Sequence, residues 1–161
     1  MYKKLFAVNN IGMGREVNLK NYANSLYQNA RIGIQTINNL LSYVKDKGLK
    51  EELKNELDEY NGFNVRLEKF ARANDIELKD NGFFEKLRLW GSTKMAALMG
   101  KSVRDYVQSL LVGTVMGLSK LYKDKWDYQH LSQELDALRD ELEAIEEHNY
   151  KALRELLKTN L

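Results

Sequence analysis

Apolar residues recur at three- and four-residue spacing along most of this chain, the period of one helix face turned toward a core. Over about 19–47 that stripe is Leu19, Tyr22, Leu26, Ala30, Gly33, Ile37, Leu40, Leu41 and Val44, with Gly48 as the expected stop. A second helix is predicted over about 49–74, with Leu49, Leu53, Leu57, Tyr60, Phe63, Leu67, Phe70 and Ala71 inward. Asn81-Gly82 marks a turn. A shorter helix follows over about 83–99, carrying Phe84, Leu87, Trp90 or Leu89, Met95 and Leu98 on one side, with Gly91-Ser92 as a point where it can be interrupted. The next spans about 102–124, with Ser102 placed to cap it. The last covers about 131–158, where Leu131, Leu135, Leu138, Leu142, Ile145, Asn149, Ala152 and Leu156 form a seam with one polar member. Residues 1–18 read as an ordered or half-ordered lead-in.

The helix over 102–124 is the most apolar, with no charge between Asp105 and Lys120. That run is too short to cross a bilayer and suits a helix buried in a core. Ser109, Gly113 and Gly117 lie four apart, so three small residues form one ridge that lets a neighbouring backbone come close. A glycine inside a helix costs roughly 1 kcal/mol relative to alanine, so two of them suggest a packing role. This helix is therefore expected at the packing centre.

The expected fold is all-α: a single domain over residues 1–161, built as an antiparallel four-helix bundle. Short links make two hairpins, and the long link, with its short extra helix, crosses from the second long helix to the third. The chain has no proline, as suits helices joined by short turns. It also has no cysteine, which rules out disulfides, thiolate metal sites and a cysteine nucleophile. No secretory signal and no membrane span are read, so the expected compartment is the cytoplasm. Net charge is +2, and successive segments alternate between basic and acidic. Complementary helices of one bundle give such a pattern, whereas a nucleic-acid surface gathers its positive charge on one face.

Trp90-Gly91-Ser92, Lys94-Met95, Leu98, Lys101-Ser102 and Gly113-Thr114-Val115-Met116-Gly117 resemble small uncharacterised ferritin-like proteins of Firmicutes, about thirty positions in all. The hairpin, short crossover helix and second hairpin are similar to bacterial ferritin-like domains of unknown function. The resemblance implies a ferritin-like fold and carries no function with it. Ferritin-like enzymes hold two metal ions with one Glu from each of two helices and a Glu-x-x-His from each of the others. The first helix has no carboxylate from Val17 to Lys45, and Ile145 stands three residues before His148. No metal site and no cofactor are expected, and the bundle interior is expected to be apolar throughout.

Other motifs read more simply as structure. Gly12-Met13-Gly14 lacks the third glycine and preceding strand of a dinucleotide fingerprint, and reads as a turn. Gly100-Lys101-Ser102 ends like a P-loop, but Met95 occupies the place of its first glycine. His130 and His148 read as surface residues, and Glu141, Glu143, Glu146 and Glu147 as a solvated face. Met95, Met99 and Met116 read as core filler beside Trp90.

The first helix is rich in amides and tyrosines, which lose their water at less cost than charges do. Tyr27, Gln28, Gln35 and Asn38, with Trp90, are the candidate partner-binding face. The expected function is therefore non-catalytic: protein contact, with itself as a homodimer or with another protein. The alternative is a degenerate ferritin-like metal-binding or oxidoreductase protein with unusual ligands. A peripheral membrane role for the Phe83–Trp90 stretch, with Lys86, Arg88 and Lys94, ranks lower, and a nucleic-acid role lower still.

Overall fold

Four long helices account for most of the computed structural model. It describes residues 2–80 and 100–160, together with Glu85, Leu89, Thr93, Ala97 and Leu98; for residues 2–11 it describes the helical course alone. The helices are α1 (Tyr2–Leu41), α2 (Lys47–Ala73), α3 (Val103–Asp127) and α4 (Gln133–Thr159). No strand occurs among the described residues, and the architecture is an all-α, bundle-like packing. Among the described residues no helix is long and apolar enough to cross a membrane. The predicted helix over 83–99, with Trp90, Met95 and Met99, lies outside the described residues apart from the five just named.

α1 begins at Tyr2, where the sequence pattern suggested a lead-in. Nothing in 2–18 breaks a helix: there is no proline, and Gly12 and Gly14 are tolerated at roughly 1 kcal/mol each. The turn read at Gly12-Met13-Gly14 is thus helix interior. α1 also stops earlier than expected, at Leu41, because Asp46 and not Gly48 sets the boundary. The Asp46 carboxylate accepts the Leu49 backbone N–H at 2.8 Å, which caps α2 and places Gly48 in its first turn.

The other ends follow the same local rules. Asp75 takes a positive φ of 54° after α2, and the Ile76 N–H reaches back to the Ala71 carbonyl at 2.8 Å. Gly100 also has a positive φ, 76°, in the turn before α3. Ser102 and Asp105 then form a reciprocal capping box, so the residues that resemble a P-loop end are a helix start. Ser132 caps α4 more simply, its hydroxyl accepting the Leu135 N–H at 3.2 Å.

α1 packs on α2, α3 on α4, and α2 on α4, with lesser contacts from α1 to α3 and α4. Tyr22, Leu26, Ile37 and Leu40 of α1 meet Leu49, Leu53, Phe63 and Leu67 of α2 and Leu135, Leu142 and Leu153 of α4 in one buried cluster. The stripes read from α1 and α2 are largely the ones buried; of the α4 stripe, Leu135, Leu142, Ile145 and Asn149 are buried and Leu131, Leu138, Ala152 and Leu156 half-buried. α3 departs from expectation. Tyr106, Val107, Leu110, Thr114 and Leu121 are buried, but Val112, Val115, Met116, Tyr122 and Trp126 are exposed. The most apolar helix is therefore the one with the most exposed large apolar side chains among the described residues, and Met116 is not core filler.

The small-residue ridge is corrected with it. A Cβ built on Gly117 would lie 2.9 Å from a Glu146 carboxylate oxygen and 3.1 Å from the Asn29 amide oxygen. A Cβ on Gly113 meets nothing within 4 Å, and Ser109 is half-buried. One of the three small residues permits a close approach; the ridge as a whole does not. A close approach the ridge did not include is at Gly33, where a Cβ would stand 2.8 Å from the Tyr60 ring.

Candidate functional site

Three successive turns of α1 point polar groups into the bundle. At the first, Tyr22 stacks on Tyr128 with ring centroids 4.7 Å apart. Its hydroxyl donates to Asp136 Oδ1 at 2.9 Å and accepts from Arg139 Nη1 at 3.0 Å. Arg139, almost wholly buried, also bonds Asp140 at 2.7 Å. Burial, then the Asp136 bond, holds the Tyr22 hydroxyl well above its ordinary pKa, so it stays a donor.

At the second turn, Ser25 donates to the buried Asp124 at 2.7 Å. Lys120 reaches Asp124 Oδ1 at 2.7 Å and also donates to the Ser25 hydroxyl. A serine beside a lysine suggests nucleophilic chemistry. Here each polar atom has a partner within the trio, and a serine donating to a carboxylate while accepting from an ammonium is a satisfied ion-pair network.

At the third turn, Asn29 donates to the Gly117 carbonyl at 3.1 Å, beside the Glu146 carboxylate. Glu56 from α2 and Glu146 from α4 are each 3 % exposed. One oxygen of each, Glu56 Oε1 and Glu146 Oε2, is buried without a hydrogen-bond partner, as is Asn64 Oδ1. Burial, then the neighbouring Glu52, Glu146 and Glu59, pushes the Glu56 carboxyl up to about 8. Burial pushes Glu146 up to about 8 as well, tempered by the Tyr60 hydroxyl. Asn149, fully buried, donates to the Ile145 carbonyl at 3.2 Å and to Glu59 Oε2 at 3.1 Å once its amide nitrogen faces them. His148 is exposed, with Nδ1 3.3 Å from Glu59 Oε1.

This third layer overturns the expectation of an interior that is apolar throughout. Glu146 belongs to the core and not to a solvated face, whereas Glu147 is exposed and Glu141 pairs with Arg66 at the surface. The missed signal is spacing. In α2, positions 49, 53, 56, 60, 63 and 67 alternate steps of four and three, which selects Glu56 for the interior and leaves Leu57 half-buried. In α4, positions 135, 139, 142, 146, 149 and 153 do the same and select Arg139 and Glu146. Choosing the nearest apolar residue in each turn picks Leu57 and Leu138 instead.

The layer does not complete a metal centre. Among the described residues no group of three or more His, Cys, Asp or Glu side chains could hold a metal ion. α1 supplies Asn29 and α3 supplies Gly117 where a two-metal bundle would need carboxylates.

The amide face of α1 is partly engaged within the chain. Asn24 donates to the Glu77 carbonyl at 3.1 Å and accepts the Lys79 N–H at 2.6 Å; Gln28 donates to the Lys79 carbonyl at 3.1 Å. These amides bond the backbone at Glu77 and Lys79, in a stretch that belongs to no helix. Tyr27 and Gln35 are half-buried and Asn38 is exposed, while Trp90 lies outside the described residues. His130 is exposed in the turn before α4, with a φ of 58°.

Comparison with protein-family models, with curated proteins and with solved structures gives no match to this chain.

Proposed function

We propose that this chain is a cytoplasmic, ferritin-like helical bundle that acts by protein contact, as a homodimer, and not by catalysis. The observation that carries the reading is the outer face of α3. Val112, Val115, Met116, Tyr122 and Trp126 are all exposed there, with Ser119 among them. Val112 to Trp126 extends over about 21 Å of helix. Exposed apolar surface gathered on one element marks an interaction site more often than scattered residues do.

A second copy suits this strip. From Val112 through Tyr122 its exposed members carry no charge, so two strips can face each other without like-charge repulsion. Gly113, open on the same face, leaves room for a second backbone. On this reading the contact uses α3 in place of the amide face of α1.

The ferritin-like course is supported by pairs of touching residues. Ser25 meets Asp124 while Asn29 meets Gly117, so α1 and α3 run in opposite senses. Asn24 meets Lys79 while Gly33 meets Tyr60, so α1 and α2 do as well. A chain in which α2 and α3 both oppose α1 has to cross the bundle between them, as in a ferritin-like fold. The short crossover helix over 83–99 belongs to the same proposal.

Sedimentation of the full chain at high micromolar concentration tests the contact: a dimer is expected, and a Val115→Lys, Met116→Lys double variant should be a monomer of unchanged helix content. Wild-type protein that stays strictly monomeric at that concentration overturns the reading. Glu56 and Glu146 favour the second reading, a degenerate ferritin-like protein holding a cation with unusual ligands. Elemental analysis of protein purified without chelator decides it, since stoichiometric iron, manganese or zinc would reverse the ranking.

A further inference from the structure

Two carboxylates shut away together pose a problem that the rest of the bundle does not solve. An ionised carboxylate in a dry interior carries a penalty of several kcal/mol unless a cation or a set of donors answers it. Asp124 meets that condition, because Lys120 and Ser25 occupy both of its oxygens. Glu56 and Glu146 do not: each leaves one buried oxygen without a partner. A carboxyl in that position takes up a proton, becoming neutral and gaining a donor of its own.

The surroundings are built to that end. On α2, Glu52, Glu59 and Tyr60 flank Glu56, and the carboxylates of Glu52 and Glu59, with that of Glu146 across the interface, discourage its ionisation. From α4 come Glu146 itself, Asn149, and the exposed His148, which acts on Glu52. α1 presents Asn29, and α3 presents Gly117, whose missing side chain leaves the space that a Glu146 oxygen approaches. Lys120 of α3 is engaged with Ser25 and Asp124. Among the described residues no basic side chain acts on either carboxyl.

We propose that Glu56 and Glu146 form a proton-holding pair: while they carry protons α4 stays seated on α2 and α3, and losing them loosens that seat. The sign follows from linkage. Both groups are ordinary carboxyls in the unfolded chain and have their native pKa raised to about 8. Between roughly pH 5 and 8 the folded chain therefore binds more protons than the unfolded one, and stability falls as pH rises. Below that window the stabilising contribution is complete; above it the slope vanishes. The proposal stands apart from self-association and does not depend on it.

Urea unfolding of the full chain in chelator, from pH 5 to 9, tests it on wild type and on Glu56→Gln, Glu146→Gln and the double variant. In wild type the unfolding constant should rise about tenfold per pH unit for each group that holds its proton. The double variant, in which neutral amides replace the protonated acids, should lose most of that rise; Glu52, whose carboxyl burial also raises, is left to contribute a remainder. An equal slope in both proteins overturns the pair. Should the double variant fail to fold, infrared spectra of the wild type serve alone: a protonated-carboxyl carbonyl band is expected at pH 6, gone by pH 9. Its absence at pH 6, or a stoichiometric metal bound there in its place, also overturns the proposal.

Discussion

The two sides of α3 teach opposite lessons about the same helix. Its inner side carries Asp124, Gly117 and Thr114 among Tyr106, Val107, Leu110 and Leu121, so polar groups and apolar ones share the interior. Its outer side carries Val112, Val115, Met116, Tyr122 and Trp126, where water would be expected to select charge. Polarity by itself does not sort the residues of this helix into inside and outside. Partners do: Asp124 is buried because Lys120 and Ser25 answer it, whereas the outer strip is apolar and yet exposed.

The strongest test of that contrast truncates one apolar residue on each side of the solvent boundary. Leu142 of α4 is fully buried, and Leu142→Ala should cost about 2–5 kcal/mol through lost burial and the cavity left behind. Val115 is half exposed, and Val115→Ala should stay within about 0.5 kcal/mol in dilute solution. Urea denaturation of the two variants gives both numbers. Equal losses would mean that the outer strip is covered in the isolated chain.

Next in size is the ion pair beneath α1. Asp124→Ala leaves Ser25 and Lys120 facing a gap, and hydrogen bonds to charged groups are worth about 1.5–3 kcal/mol. Lys120 is over a third exposed at its side chain and can recover water, so the lower part of that range is expected. A loss below measurement would place the trio among surface pairs of no consequence.

Why some of this could be read in the sequence, and some not, comes down to what each signal depends on. The stripes Leu49–Leu53–Tyr60–Phe63–Leu67 and Leu135–Leu142–Ile145 were legible because helix period and burial of hydrocarbon are local facts. Ser102 was legible because capping is settled within four residues. Asn149 could be placed in the seam, since its neighbours one turn away on each side are apolar. Glu56 and Glu146 were not placed, because reading by residue type moves a glutamate outward even where the four-three spacing points it in. The start of α1 was missed for a related reason: glycine weakens a helix without forbidding it. Nothing local could show that Asn24 and Gln28 would spend their amides on residues 77 and 79, more than fifty positions on. Nor could it show which of two glycines, four residues apart, touches anything.

Those two glycines provide the finest comparison. Gly117→Ala drives a methyl to 2.9 Å from a Glu146 oxygen and 3.1 Å from Asn29, so one of the buried polar groups has to move. The overpacking penalty is about 1–3 kcal/mol, set against roughly 1 kcal/mol gained in helix propensity. Gly113→Ala meets open space and should keep the whole gain, making the protein more stable by up to about 1 kcal/mol in dilute solution. Two residues that the sequence presents as equivalent should thus shift a urea midpoint in opposite directions. At concentrations where copies associate, the Gly113 methyl fills the gap left for a second backbone and should weaken the dimer even as it strengthens the monomer. A Gly113→Ala protein less stable than wild type when dilute would show that another part of the same chain already occupies that face, and the case for a second copy there would go with it.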